Sequence, residues 1–219
     1  MDVWQITRFT VACAVGATIM VLPPGVAIAW MLARRRFTGR TLVETLVSLP
    51  LVLPPVATGL ILLTVLSRRG VIGRILESAG IEVVFTWKAV VLAMAVMGLP
   101  LLVRTARAGF EQVNQRYEQV ASTLGAPPAR IFFTISLPLA WPSIVAGAVL
   151  AFARALGEFG ATIIVAGSIP GATRTLAVAI YSYTETGQDR QAAVLLVVSA
   201  SIAFLALWYA NRLADRRTA

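Results

Sequence analysis

Five stretches of the sequence are apolar over the length that an α-helix needs to cross a lipid bilayer. A spanning helix takes about 20 residues, and up to about 25 when it is tilted. The chain is 58% hydrophobic and 13% charged, with a mean hydropathy of +0.81, whereas soluble domains are about 25% charged. We therefore expect a single all-α domain over residues 1–219, a polytopic membrane helix bundle. The predicted spans are residues 9–33, 42–66, 85–103, 132–156 and 192–210.

Arginines at the ends of these runs predict how the chain is oriented in the membrane. Arg34–Arg36 and Arg40 follow the first run, and Arg212 follows the last. Because cytoplasmic loops are enriched in Lys and Arg, we expect these arginines in the cytoplasm and the N-terminus outside. The net charge of +9 then reflects topology and lipid contact, and no nucleic-acid partner is expected. Residues 157–190 contain apolar stretches too short to cross and are expected to be partly re-entrant and partly external.

Prolines interrupt the second and third runs. Pro50, Pro54 and Pro55 each remove a backbone donor from the second run and disturb its helix. Within a membrane such sites are tolerated where neighbouring helices or a water-filled cavity satisfy the freed carbonyl groups. The second run is therefore expected to face the interior of the bundle. The third run is expected to break near Gly98 and Pro100.

A polar segment, residues 104–131, separates the third and fourth runs. Within it, apolar residues recur every three or four positions, which predicts a helix with one apolar face. These residues are Val113, Tyr117, Val120 and Leu124. Gly125 suits the end of that helix, and Pro127 and Pro128 prevent its continuation. Two interpretations are open: an interfacial helix that anchors the loop, or a ridge that fits a groove on a cytoplasmic partner.

The sequence contains none of the patterns expected of a catalytic or metal-binding chain. The P-loop motif G-x-x-x-x-G-K-[ST] is absent, so any ATP must be hydrolysed by another polypeptide. There is no histidine, and the single cysteine, Cys13, lies within an apolar run. No pairing of a nucleophile with a base is recognisable. We expect no catalytic residue, no metal site and no cofactor bound by this chain.

Arg154 and Glu158 stand at the end of the fourth run. They are four residues apart and share one face of a helix, where they can pair. Charges at membrane depth are costly and usually functional. Three interpretations are open: a structural pair beside a translocation path or gate, direct contact of Arg154 with an anion, or two solvated side chains at the outer interface. Gly160 permits close helix approach, and Pro54 and Pro55 are expected on the opposite wall of the path.

The polar segment also carries a spaced motif. Nine residues separate Gly125 from the sequence I-S-L-P, which ends at Pro138. This spacing resembles the EAA loop of ABC importer permeases, where a glycine is followed by nine residues and then I-x-L-P. The family usually has an acidic residue six positions before the glycine, and here Gln119 occupies that position and Glu118 the one before it. The resemblance implies a set of residues that couple the chain to an ATPase. They are Glu118, Gln119, Ala121, Gly125, Arg130 and Pro138.

Further segments resemble the permease subunit of molybdate importers of type I. They read FTGRTLVETLVSLPLVLPPVATG, RRGVIG and ARALGEFGATIIVAGSIPGATRTLAVAIY. The resemblance implies a homodimer in the cytoplasmic membrane of a bacterium or archaeon, surrounded by lipid. It also implies two cytoplasmic ATPase subunits, which bind ATP and Mg²⁺, and an extracytoplasmic oxyanion-binding protein. Molybdate is the expected cargo. Tungstate or sulfate transport, or a non-transport role as a membrane interaction subunit, remain alternatives.

Overall fold

The computed structural model describes residues 2–215, without the side chains of residues 209–211 and 213–215. The described residues form helices and no strand. The helices are α1 Val3–Arg34, α2 Arg40–Val52, α3 Pro55–Leu66, α4 Val71–Ser78, α5 Trp87–Gln112, α6 Gln115–Thr123, α7 Pro128–Ile131, α8 Leu137–Leu156, α9 Gly160–Ala166, α10 Leu176–Glu185 and α11 Asp189–Asp215. A π-helical segment, Phe132–Ser136, joins α7 to α8, so that Pro128–Leu156 is one continuous helix.

The architecture is a helix bundle of the kind that spans a membrane. Within the described residues, α1, α5, Pro128–Leu156 and α11 are long and apolar enough to cross a bilayer. The pair α2 and α3 passes the same test jointly but is bent by 115°, which makes it a broken span or a re-entrant loop. The predicted all-α membrane fold with about five spans is confirmed.

Helix α5 lies at the centre of the bundle and packs against both α1 and α8. Gly98 makes the contact with α8 close, because a Cβ at this position would lie 3.1 Å from the backbone oxygen of Ala151. The helix continues through Pro100 to Gln112, so the predicted break near Gly98 and Pro100 is wrong. A proline removes one hydrogen bond, and here Pro100 is buried within a helix that remains continuous, as prolines are tolerated in spans that neighbouring helices surround.

The second apolar run breaks at Pro54 and Pro55 but not at Pro50, which lies inside α2. Leu53 ends α2 in an extended conformation, and Pro54 is the N-cap of α3 with Pro55 as its first residue. Neither proline can donate a hydrogen bond to the preceding turn, while the first helical position needs no such donor. The chain therefore turns sharply at Leu53 and Pro54, and α3 departs in a new direction to pack against α9.

Residues 157–190 hold two helices that are too short to cross a membrane. Five of the seven residues of α9 are buried, and the helix packs against α3 and α5. Helix α10 packs against α11 and the start of α1, around a small core of Ile6, Leu176, Ala179 and Leu195. The bundle thus encloses one short helix, α9, whose surroundings include the break between α2 and α3.

Candidate functional site

Helix α6 lies within the predicted polar segment, between the end of α5 and α7. The Asn114 side chain starts it by accepting a 3.0 Å hydrogen bond from the Arg116 N–H. Gly125 ends it in the left-handed region, at φ 83°. The Ala126 N–H then bonds to the Ala121 carbonyl, and the Gly125 N–H to the Ser122 carbonyl, which is the Schellman pattern. The predicted role of Gly125 in ending this helix is confirmed.

The apolar residues of α6 point away from the bundle. Tyr117, Val120 and Leu124 are 57%, 58% and 82% exposed. Val113, the fourth predicted member of this stripe, instead lies just beyond the end of α5 and is buried. The apolar face of α6 is therefore available to another molecule.

A carboxylate faces inward from the same helix. Glu118 is 20% exposed and Arg34, at the end of α1, is 7% exposed. The Arg34 Nε–H donates to Glu118 Oε1 at 3.0 Å. The Ser136 hydroxyl, which is buried in the π-helical segment, donates to the same oxygen at 2.7 Å. Helix α6 is thus held to the bundle on its polar side.

The other predicted coupling residues surround this helix without forming one cluster. Gln119 and Arg130 are exposed, and Ala121 is half-buried. Pro138 follows the π-helical segment, in which the Leu137 N–H bonds to the Phe132 carbonyl five residues back. Because Pro138 has no N–H for the Thr134 carbonyl, the normal helical pattern is not possible there. Pro138, the proline of the I-x-L-P motif, thus lies at the end of the π-helical turn.

The second candidate site lies where α9 meets α3. A Cβ at Gly160 would lie 2.7 Å from the Cβ of Pro55, and one at Gly59 would lie 2.8 Å from the Cα and backbone oxygen of Ala161. Glycine at both positions therefore allows the two helices to touch along their backbones. The structure brings Gly160 and Pro55 together, with Pro54 at the adjoining bend.

Arg154 and Glu158 form an ion pair beside this contact. The Arg154 Nη1 lies 2.6 Å from Glu158 Oε2, and the Glu158 side chain is 1% exposed. Its Oε1 accepts a 2.7 Å hydrogen bond from the Ala161 N–H, which satisfies a donor in the first turn of α9. Glu158 is therefore not solvated. It connects the end of α8 to the start of α9.

Sequence reasoning missed the residues that hold α6. By sequence alone, Arg34 indicates topology and Ser136 is the variable position of the I-x-L-P motif. Their partner lies 84 residues from Arg34 and 18 from Ser136 along the chain. The cluster contains several arginines with the same local sequence features. Nothing in the sequence therefore indicates that Arg34, and not one of its neighbours, contacts Glu118.

Comparisons with known proteins agree with this architecture. The model of the family described as "Binding-protein-dependent transport system inner membrane component" matches residues 25–219. The molybdenum transport system permease protein ModB of Escherichia coli K12 is 46% identical over 96% of this chain and 93% of its own. The sulfate transport system permease protein CysT of Salmonella typhimurium is 35% identical over 95% of this chain and 76% of its own. A bacterial ABC transporter that imports alginate has a similar fold, with a TM-score of 0.75 at 18% identity over 98% of this chain and 79% of its own.

Proposed function

Because this chain belongs to the family of binding-protein-dependent transport system inner membrane components, we propose that it is the permease of an ATP-driven molybdate importer. It is a multi-pass protein of the cytoplasmic membrane. Residues 1–219 act as one transport domain. Molybdate is the proposed cargo because a relative that is 46% identical over 96% of this chain is named for molybdenum transport. Sulfate is the weaker alternative, supported by a less similar relative, and tungstate has nearly the size and charge of molybdate.

The outward apolar face of α6 is the observation that carries the transport proposal. An interfacial helix that merely anchored its loop would have no need to be tied to the bundle by its polar side. Here Glu118 is turned inward while Tyr117, Val120 and Leu124 are exposed. An exposed apolar stripe with this spacing fits a groove on a protein partner. We take that partner to be the ATPase.

The chain itself supplies no chemistry in this proposal. It is a transporter component, and its sequence has no P-loop. Two ATPase subunits bind ATP and Mg²⁺ and hydrolyse the nucleotide. Closure of the ATPase pair on ATP is passed to the helices through α6, Gly125 and the turn that contains Pro127 and Pro128.

The translocation path is proposed to run beside the contact of α3 and α9 in a homodimer. Glycines at this contact let two short helices touch through their backbones, which suits a narrow passage. The Arg154–Glu158 pair holds the start of α9 and lies beside the path rather than in it. An extracytoplasmic binding protein delivers the oxyanion at the face opposite α6.

Uptake by a reconstituted complex tests the function. The chain, its ATPase and its binding protein are placed in proteoliposomes with ATP inside and radiolabelled molybdate outside. We expect uptake that requires all three proteins and ATP, and uptake no greater than in liposomes without the chain would contradict the proposal. Calorimetry of the binding protein with molybdate, tungstate and sulfate identifies the anion.

A further inference from the structure

Helix α6 is attached to the bundle by polar contacts instead of an apolar core. None of its nine residues, all of which the structure describes, is buried. The inward contacts converge on Glu118 Oε1, which accepts from Arg34 at 3.0 Å and from Ser136 at 2.7 Å. Hydrogen bonds to a charged acceptor are stronger than neutral ones, and partial burial strengthens them further. A large part of what holds α6 in place therefore depends on one carboxylate.

Arg34 joins a third element to the same point. Its Nη2 donates to the backbone carbonyl of Val113 at 2.9 Å, just past the end of α5. The guanidinium thus connects the ends of α1 and α5 to α6. The neighbouring arginines are placed differently, since Arg35 lies over the Trp30 ring at 5.5 Å and Arg36 is exposed. Of Arg34, Arg35 and Arg36, all of which the structure describes, only Arg34 forms a hydrogen bond to α6.

We propose that Glu118 is a positioning residue, which fixes α6 to α1 through Arg34 and to the π-helical segment through Ser136. A displacement of α6 then moves α1 and the helix Pro128–Leu156 together. In this arrangement the apolar stripe contacts the ATPase and Glu118 does not. π-helical segments are rare and often occur at functional sites, and Ser136 joins α6 to the least regular turn of its helix. The coupling role rests on the proposed function, whereas the attachment of α6 does not.

Hydrogen exchange of the full-length chain in nanodiscs tests the attachment. We expect the amides of α6 to exchange on the order of tenfold faster in Glu118→Ala, because two charge-assisted bonds are lost. Arg36→Ala is the matched control, since it removes one arginine of the same cluster that does not contact α6, and its α6 amides should exchange at the wild-type rate. Unchanged exchange in Glu118→Ala would overturn the inference.

Coupling is tested in the reconstituted transporter by the number of anions taken up per ATP hydrolysed. We expect this ratio to fall severalfold in Glu118→Ala while the ATPase still copurifies, and to recover partly in the charge exchange Arg34→Glu with Glu118→Arg. Loss of copurification with normal exchange of α6 would instead make Glu118 an ATPase contact and overturn the proposal. If the wild-type chain binds no ATPase, the proposed function fails, and the exchange experiment still decides whether Glu118 holds α6.

Discussion

Single residues show where conformation and charge, rather than side-chain bulk, determine this structure. Gly125 has open space around the position of a Cβ, with no atom within 4 Å, yet its φ is 83°. Glu158 is the opposite case, a buried charge with two specific partners, the Arg154 guanidinium and the Ala161 N–H. Gly125 is constrained by its own backbone conformation, and Glu158 is constrained by its surroundings.

Replacement of Gly125 should therefore depend on backbone preference more than on size. Gly125→Ala is expected to destabilise the end of α6 by about 1 kcal/mol, since L-residues with a Cβ disfavour the left-handed region. Gly125→Asn should cost less although its side chain is larger, because asparagine tolerates that region. Hydrogen exchange of α6 in the two variants provides the comparison. Equal or reversed protection would contradict the explanation based on φ.

Removal of Glu158 should be strongly destabilising. Glu158→Ala leaves the partly buried Arg154 and the Ala161 N–H without their acceptor, at a cost of about 3 kcal/mol. The double variant Arg154→Ala with Glu158→Ala should lose less than the sum of the two single losses. Thermal unfolding in detergent measures all three variants. Simple additivity would mean that the two charges do not interact.

At the scale of helices, close backbone contact holds α3 and α9 together. Gly59→Ala places a Cβ 2.8 Å from the Cα and backbone oxygen of Ala161, and backbone atoms cannot move aside as a flexible side chain does. We expect a loss of about 1–3 kcal/mol in stability and reduced uptake. Gly16→Ala in α1 is the matched control, since its Cβ would meet the Val91 side chain at an ordinary 4.0 Å. Equal stability of the two variants would contradict this account.

Sequence patterns predicted helices well and contacts between them poorly. Apolar runs reveal spans because a membrane imposes their length, and Pro54 and Pro55 predicted the break because no helix donor is available there. Pro100 carried the same local signal without a break, since burial by neighbouring helices decides the outcome. The inward turn of Glu118 was not predictable, because its partner Arg34 is 84 residues away.

At the scale of the whole molecule, the exposed apolar surfaces formed by the described residues include a belt and the outer face of α6. The belt includes exposed apolar residues on α2, α3 and α11, which suit lipid or a second copy of the chain. Helix α6 lies beside Arg34, at the end of α1 that carries the arginine cluster. The arginine cluster, which predicts the orientation in the membrane, and α6, which is predicted to bind the ATPase, therefore lie at the same end of the bundle.

Binding of the ATPase should depend on the stripe of α6. We expect Val120→Ser to reduce copurification of the ATPase about tenfold, as a buried interface side chain contributes on the order of 1.4 kcal/mol or more. Val71→Ser on α4 is the matched control, because that valine is also exposed but lies on another helix. Stability should change little in either variant. Equal copurification of both would exclude the stripe as the docking surface.

Orientation is measurable by labelling introduced cysteines. In a Cys13→Ser background, an impermeant maleimide should label Ser78→Cys, at the end of α4, in intact cells expressing the chain without its ATPase. Ser122→Cys, on α6, should react only after permeabilisation, because the arginine clusters place that end in the cytoplasm. Both serines are exposed, so access to the reagent differs only by side. Labelling of Ser122→Cys in intact cells would reverse the proposed topology.

In the proposed transport mechanism, the continuous helix Pro128–Leu156 is expected to act as a lever arm. It has 29 residues, which at about 1.5 Å each gives a length of about 43 Å. One end lies at the turn that follows Gly125, and the other carries Arg154 next to Glu158. A tilt of about 5° around one end displaces the other by about 4 Å, which is less than the rise of about 5.4 Å per helical turn. If α6 binds the ATPase as proposed, a small rotation there is amplified into a displacement of several ångströms at the Arg154–Glu158 end of this helix.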